Sequence, residues 1–233
     1  MSASPRHSDG SPPRPRPQGV VGEQLRAGLV ERRGWIRLPD SAQSLISVGA
    51  HLQSDTGPPM GLSFLGLVCL PVVSITALER WLKEHAPAMG PGGALMVATL
   101  GPGTLLSWRR ATGMDAATEP RGLDLHDLGD LLSRAGFAAP VTESERIVLS
   151  YQHFETAMRD LHGLWVPQSG PGLHGRSAYS RRRAEFEQLR AADGRVHLEF
   201  ELVFAHGWRG EPRRPSAPRG EQPVTFQSRG RFV

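Results

Sequence analysis

The chain has 233 residues, enough for one globular domain with tails, and a formal net charge of +4. A positive charge suggests nucleic-acid binding, but six arginines lie in residues 209–233 and the chain between its two ends is acidic overall. The composition thus argues against a basic face on the folded part, and we expect no nucleic-acid partner.

Cysteine content and hydropathy favour a cytoplasmic protein. Cys69 is the sole cysteine, so no disulfide can form within the chain, which fits a reducing compartment. The N-terminus has no apolar signal region. The longest apolar stretch, residues 62–73, is interrupted by Gly66 and Pro71 and is too short to span a bilayer. We therefore expect no membrane partner.

Both ends of the chain differ in composition from its middle. Residues 1–19 are rich in Pro, Ser and Arg, and residues 209–233 return to Pro, Arg and Gly. Such segments bury too little apolar area to offset the entropy lost on ordering, so both are predicted to be disordered tails. The domain is expected at residues 20–208, beginning with an amphipathic helix over residues 20–33.

The first predicted strand, residues 44–48, ends at Gly49. In α/β nucleotide-binding folds the first strand runs into a glycine-rich turn that lets the backbone approach the ligand. The turn here, residues 49–53, keeps one glycine where such turns use two or three. Two interpretations stay open: a reduced cofactor turn, or an ordinary glycine at the end of a strand.

The middle of the chain predicts a strand, a helix and a further strand. Residues 61–70 are apolar enough for a buried strand, and the hydroxyl of Ser74 can cap a helix over residues 75–84. That helix carries Leu78, Trp81 and Leu82 on one face.

Pro91-Gly92-Gly93 is expected to stop this helix, because proline cannot continue the turn and glycine supplies a left-handed end. The apolar run over residues 94–99 then fits a parallel strand buried on both faces, so the sequence predicts an α/β sheet. Residues 100–104, Leu-Gly-Pro-Gly-Thr, would follow at the carboxyl edge, where α/β proteins bind ligands, although they also suit a plain turn.

The second half alternates helices and strands. A helix is predicted to begin at Asp124 and to stop at Gly136. The other predictions are a strand over 146–151, a helix over 154–164, a loop over 167–176, a helix over 179–191, a turn at 193–194 and a strand over 196–204. The last strand alternates apolar and polar residues, which is typical of a half-exposed or antiparallel strand.

The polar motifs of the sequence are weak evidence for a functional site when each is taken alone. The nine histidines are scattered, so we expect no metal. Asp124, His126 and Asp127 are compatible with a general-base cluster, or with the exposed start of a helix. The run Arg181 to Arg183 is either a solvated face or a contact for an acidic partner.

Several stretches between about residue 20 and residue 208 together resemble one family. These stretches are 22–38 (GEQLRAGLVERRGWIRL), 91–93, 99–105 (TLGPGTL), 124–130 (DLHDLGD), 134–141, 157–161, 173–176 and 200–208. The chain resembles the S-adenosylmethionine-dependent methyltransferases that form malonyl-acyl-carrier-protein methyl ester in biotin synthesis. The resemblance implies a Rossmann-like class I methyltransferase fold, S-adenosylmethionine as the cofactor, and methyl transfer to a carboxylate.

The chain departs from this family at the expected cofactor turn. The family's first strand ends in an acidic residue and a three-glycine loop that cradles the cofactor, where this chain has Ser47, Gly49, His51 and Gln53. Side chains at the second and third glycine positions obstruct close approach to the backbone. The resemblance therefore implies a degenerate cofactor turn at Ser47, Gly49 and His51, and makes binding of S-adenosylmethionine doubtful.

The resemblance also implies an incomplete sheet. Too few residues separate Gly49 from Leu62 for the family's second and third strands, one of which carries the carboxylate for the ribose hydroxyls. The family's strand order, 3-2-1-4-5-7-6, then becomes 1-4-5-7-6, with a helical lid insert over residues 151–191 before the last strand. Strand 1 becomes an edge, which invites pairing with a second copy or a partner subunit.

Three hypotheses of function result. The first is a family member with impaired or lost S-adenosylmethionine binding that docks an acyl-carrier protein or a partner subunit. The second is an active carboxyl O-methyltransferase of malonyl-acyl-carrier protein, which works mainly by positioning. The third is a non-catalytic interaction or dimerisation protein. Candidate residues for an acidic substrate or carrier are Arg159, Arg176, His126 and the cluster at Arg181, and no catalytic residue is assigned.

Overall fold

The computed structural model describes residues 19–38, 44–48, 64–69, 74–112, 122–161, 164 and 176–210. The predicted tails, apart from residues 19, 209 and 210, lie outside these ranges. The predicted turn at Gly49 and His51 and nearly all of the predicted loop over 167–176 also lie outside them.

The described elements follow the predicted alternation of helices and strands. In chain order they are α1 (Gly19–Arg33), β1 (Ser44–Val48), β2 (Phe64–Val68), α2 (Ile75–His85), a 3₁₀ turn (Ala86–Ala88), β3 (Ala94–Leu100), α3 (Leu106–Thr112), α4 (Leu125–Arg134), β4 (Phe137–Tyr151), α5 (Phe154–Leu161), α6 (Arg176–Gln188) and β5 (Val196–Arg209). No helix in these ranges is both long and apolar enough to cross a membrane.

The five described strands form one sheet in the order β1-β2-β3-β5-β4. Strands β1, β2 and β3 run parallel, whereas β5 lies between β3 and β4 and is antiparallel to both. This order is the predicted 1-4-5-7-6, with α5 and α6 inserted before the last strand, so the predicted fold is confirmed. Among the described strands, β1 pairs with β2 alone and stands at one end of the sheet.

Helices cover both faces of the sheet. Side chains from α1, α3, α5 and α6 form one apolar core with one face, and side chains from α2 and α4 form a second core with the other. Strand β3 serves both cores, because Met96 and Ala98 join the first while Leu95 and Val97 join the second. All seven residues of β3 are buried, as the apolar run predicts.

The predicted bounds of α2, residues 75–84, are confirmed to within one residue, but the predicted stop signal, Pro91-Gly92-Gly93, is wrong. Ser74 caps the helix by accepting a hydrogen bond from the backbone N–H of Ala77 at 3.2 Å. The α-helix ends at His85, before Pro91-Gly92-Gly93, and a short 3₁₀ turn that contains Pro87 follows. Pro87 has no backbone N–H to continue the hydrogen-bond ladder, so the α-helix ends just before it.

The last two strands are longer than their sequence patterns predict. Strand β4 begins at Phe137, nine residues before the predicted start at Arg146, and crosses a bulge between Ala138 and Val141. Its residues are mostly exposed or half-buried, so they show no apolar pattern; backbone pairing with β5 makes them a strand. Strand β5 is antiparallel, one of the two alternatives that its alternating pattern left open, and it runs on to Arg209.

A buried arginine, Arg32, connects α1 to the β4–β5 side of the sheet through side-chain contacts. The Arg32 guanidinium donates to the Glu143 carboxylate, and to Glu145 at 3.5 Å. It also lies 3.7 Å from the ring centroid of Phe204. The Arg32 side chain is buried, with only 7% exposed. Its partners lie on strands that are distant from α1 in the chain.

Candidate functional site

The three parallel strands place their carboxyl ends at one edge of the sheet. Val48 pairs with Val68, and Val68 pairs with Ala98 two residues before the end of β3. In α/β proteins ligands bind at this carboxyl edge, which makes it the candidate site. Among the described residues, the edge is formed by the ends of β1, β2 and β3 and by the loop after β3.

The carboxyl end of β2 is apolar and tightly packed. Val68 and Cys69 are 1% and 2% exposed, and the N–H of Cys69 donates to the carbonyl oxygen of Ala98 at 2.8 Å. Burial raises the pKa of the Cys69 thiol to about 12. The thiol is therefore neutral at ordinary pH, and this strand end presents neither a charge nor a thiolate nucleophile.

The loop after β3 is closed by Glu201 of β5. Its carboxylate accepts a hydrogen bond from the N–H of Gly103 at 2.6 Å, and its carbonyl oxygen accepts one from the N–H of Gly101 at 2.8 Å. The Thr104 hydroxyl both donates to the carbonyl oxygen of Glu201 and accepts from its N–H. The amides that a ligand would use here are already paired within the chain.

Two glycines make this closure possible. A Cβ at Gly101 would lie 2.5 Å from Cδ of Glu201, and a Cβ at Gly103 would lie 2.8 Å from its Oε2. Carbon and oxygen atoms do not approach so closely, so any side chain at Gly101 would displace that of Glu201. The Leu-Gly-Pro-Gly-Thr motif therefore binds the Glu201 carboxylate of the same chain.

A second glutamate of β5 binds the start of α3. The Glu199 carboxylate accepts from the hydroxyl of Ser107 at 2.5 Å and from its N–H at 3.2 Å, and its carbonyl oxygen accepts from the N–H of Leu105 at 2.7 Å. Sequence reasoning missed both glutamates. Both occupy polar positions of the alternating pattern over residues 196–204, and this pattern could have marked them as candidates.

Most of the predicted cofactor residues lie outside the part of the chain that the structure describes. Ser47 lies in β1 opposite Leu67, and the structure describes only its backbone. Gly49 and His51 are outside the described residues.

Two of the predicted substrate residues, His126 and Arg159, lie far apart in the fold. His126 lies in the first turn of α4, with its side chain 85% exposed, and Arg159 is exposed on α5. These two helices pack on opposite faces of the sheet. Arg176 is the first residue of α6.

Hydrogen bonds at the start of α4 favour the helix-end interpretation of the Asp124–His126–Asp127 motif. The Asp124 carboxylate accepts from the N–H of His126 at 2.8 Å and lies 3.0 Å from its ring nitrogen Nδ1. These bonds, the backbone one first, lower the pKa of Asp124 below its ordinary value. Asp124 therefore acts as a helix cap in this structure.

The predicted lid helices are anchored by an aromatic cluster. The ring of Phe186 on α6 meets Phe154 of α5 at 5.5 Å between centroids and Trp108 of α3 at 5.9 Å, both edge to face. Arg181 and Arg183 are exposed on α6, and Arg183 lies 3.7 Å from Glu155. Helices α5 and α6 thus pack with α3 and present arginines to solvent.

The topology and its carboxyl edge define a class of protein, the Rossmann-like methyltransferase fold, with β1 at one end of the sheet that the described strands form. No protein-family model matches the chain. It is 46% identical over 141 residues to a malonyl-[acyl-carrier protein] O-methyltransferase of Laribacter hongkongensis, covering 57% of this chain and 47% of that protein. It is 30% identical over 207 residues to that of Legionella pneumophila, covering 84% of this chain and 70% of that protein.

The chain belongs to the malonyl-[acyl-carrier protein] O-methyltransferase family. It spans about half the length, 46% to 53%, of three of the curated relatives that it matches. Among solved structures it is similar to the phosphoethanolamine N-methyltransferase 2 of Haemonchus contortus, with 12% identity, a TM-score of 0.42, and coverage of 83% of this chain and 54% of that one. That likeness is slight, and the assignment rests on the sequence relatives.

Proposed function

We propose that this chain is a member of the family in which the S-adenosylmethionine site is impaired, and that it binds an acyl-carrier protein through its lid helices. The observation that carries the first part is the direct parallel pairing of β1 with β2, over Ser44 to Val48 and Phe64 to Val68. Residues 49–63 alone connect them, where the family has two further strands.

The sequence of this connection supports the proposal. His51 and Gln53 stand at positions where the family needs bare backbone, and a Cβ there blocks close approach of a cofactor. Asp55 is the single carboxylate within residues 49–63, so it is the one acid in the connection that could bind ribose hydroxyls.

The described carboxyl edge also fits the cofactor poorly. The end of β2 is buried and apolar, and the amides of Gly101 and Gly103 already bind Glu201. A charged sulfonium nucleoside needs polar partners, and the described residues of this edge use theirs on one another.

Calorimetry with S-adenosylmethionine tests the impaired site. We expect a dissociation constant above about 1 mM, the upper end of ordinary substrate affinities. The Laribacter hongkongensis relative serves as the positive control under the same conditions. Micromolar binding to this chain would overturn the proposal and favour an active carboxyl O-methyltransferase.

Variants locate the cause of impairment. The double substitution His51→Gly and Gln53→Gly removes the two obstructing side chains and is expected to tighten binding if obstruction is the main defect. If the unmodified chain does bind, Asp55→Asn tests whether this carboxylate took over the ribose hydroxyls. A loss of binding in Asp55→Asn would then identify a rebuilt site in place of an impaired one.

Exposed arginines on the insert support the second part of the proposal. Arg159 on α5 and Arg181 and Arg183 on α6 are exposed, and α5 contacts α6 through the edge-to-face pair of Phe154 and Phe186. Several cations on a rigid pair of helices attract an acidic partner. The sequence relatives are named malonyl-[acyl-carrier protein] O-methyltransferases, and these names suggest an acyl-carrier protein as the acidic partner.

Titration with malonyl-acyl-carrier protein tests the docking. The pair Arg181→Ala and Arg183→Ala is expected to weaken binding roughly fivefold, at about 0.5 kcal/mol for each exposed charge. Arg146→Gln, an exposed arginine of β4 outside the insert, is the matched control and should leave affinity unchanged. Equal weakening by both variants, or no weakening by either, would contradict docking on the insert.

A further inference from the structure

The β4–β5 ribbon continues beyond the carboxyl edge of the parallel strands. Strand β3 ends at Leu100, which pairs with Leu202, whereas β5 begins six residues earlier at Val196 and stays paired with β4. At this protruding end Ser150 of β4 lies directly opposite His197 of β5. Opposed residues in an antiparallel pair point to the same face, so their side chains meet.

Three side chains at this end form a continuous hydrogen-bonded chain. The hydroxyl oxygen of Ser150 lies 2.8 Å from Nδ1 of His197, and Nε2 of the same ring lies 3.1 Å from Oδ2 of Asp193. A carboxylate can only accept, so the proton of a neutral imidazole is assigned to Nε2. The lone pair of Nδ1 then faces the serine hydroxyl, as a general base must.

The carboxylate is held in place by the turn that carries it. The N–H of Arg195 donates to Oδ1 of Asp193 at 2.9 Å, and Gly194 takes the positive φ of +76° that the turn needs. The Arg195 N–H, and then His197, hold the pKa of Asp193 below its ordinary value. Arg190 further binds the carbonyl oxygen of Gly194. The acceptor for Nε2 is therefore ionised and oriented before any reaction.

We propose that Ser150 is a nucleophile, with His197 as its base and Asp193 as a positioning residue, and that it accepts acyl groups from activated esters or thioesters. In this step the serine oxygen attacks the acyl carbon while its proton passes to Nδ1 of His197. The bond from the acyl carbon to the leaving oxygen or sulfur breaks, and the leaving group departs with that proton as an alcohol or thiol. The product is an ester on Ser150.

The solvent exposure of the three side chains limits the expected rate of this reaction. The His197 and Asp193 side chains are 40% and 51% exposed, so water competes for their hydrogen bonds. We therefore place the base contribution at about 100-fold, the lower end of the range for positioned general bases. The exposed position also leaves the hydroxyl accessible to small acyl donors.

Acetylation of the full chain by p-nitrophenyl acetate, mapped by peptide mass spectrometry, tests the proposal, and an N-acetylcysteamine thioester repeats the test with a sulfur leaving group. We expect one acetyl group on Ser150, none in Ser150→Ala, and about 100-fold slower labelling in His197→Ala. Ser144→Ala is the matched control, because Ser144 is exposed on the same strand but lies opposite Val203. It should be labelled at Ser150 as fast as the unmodified chain.

A further pair of variants separates positioning from mere folding. Asp193→Asn should slow labelling of Ser150 while circular dichroism shows that the chain is still folded, and Asp193→Glu should restore part of the rate. Absence of acetyl-Ser150, equal labelling of Ser144, or an unchanged rate in His197→Ala would each overturn the proposal. If every variant of Ser150, His197 and Asp193 lost both the labelling and the circular dichroism of the folded chain, the proposal would also be overturned. The hydrogen bonds among these three residues would then serve the fold alone.

Discussion

Replacement of Glu201 probes the closure of the loop after β3. The Glu201 carboxylate accepts from the N–H of Gly103 at 2.6 Å, and both groups are partly buried. A hydrogen bond to a charged group contributes about 1.5–3 kcal/mol, and a neutral one about 0.5–1.5 kcal/mol. Glu201→Gln keeps an acceptor but loses the charge, so we expect it to lower the free energy of unfolding by about 1 kcal/mol.

Glu201→Ala removes the acceptor as well, and leaves the Gly103 amide without its partner. We expect a total loss of about 2 kcal/mol, because the hydrogen bonds made by the backbone of residue 201 remain. Urea unfolding followed by circular dichroism measures both values, with unchanged m-values as the check on two-state behaviour. Glu31→Gln, an exposed glutamate of α1, is the matched control and should stay within about 0.5 kcal/mol of the unmodified protein.

The graded order of these variants is the decisive result. If Glu201→Ala is as stable as the unmodified protein, the carboxylate does not hold the loop, and the Gly103 amide is available to a ligand. If Glu201→Gln is less stable than Glu201→Ala, a hydrogen-bond acceptor on the side chain of residue 201 does not stabilise the loop. Either result would refute the interpretation of the loop as closed by the chain's own glutamate.

Three further predictions concern packing, the buried thiol and the sheet edge. Gly101→Ala should destabilise by about 1–3 kcal/mol, since its Cβ would lie 2.5 Å from Glu201, whereas Gly90→Ala, with nothing within 4 Å, should be neutral in the same urea assay. Cys69 should resist a thiol reagent at pH 8 until the chain unfolds. Because its folded pKa of about 12 exceeds the unfolded value, stability should also fall as pH rises above about 8.5. Rapid labelling of the folded chain would contradict this. Pairing across β1 should give a dimer in light scattering, and a monomer at high concentration would count against it.

Local residue patterns were sufficient for much of the fold. The apolar run of β3 predicts its burial on both faces, and Ser74 predicts the start of α2, because both depend on residues within one strand or one helical turn. The family resemblance extended this to the strand order, which the structure confirms. The end of α2 was also predicted to within one residue, but its cause is Pro87, which follows it directly, and not Pro91-Gly92-Gly93.

Only the tertiary structure identified the partners of the polar side chains. Glu201 meets Gly103 across 98 positions, Arg32 meets Glu143 across 111, and Ser150 meets His197 across 47. Such contacts depend on the register of β5 between β3 and β4, and a shift of one residue would turn each side chain to the opposite face. The sequence by itself thus determined the elements and their family, while long-range strand pairing decided which charges and nucleophiles come together.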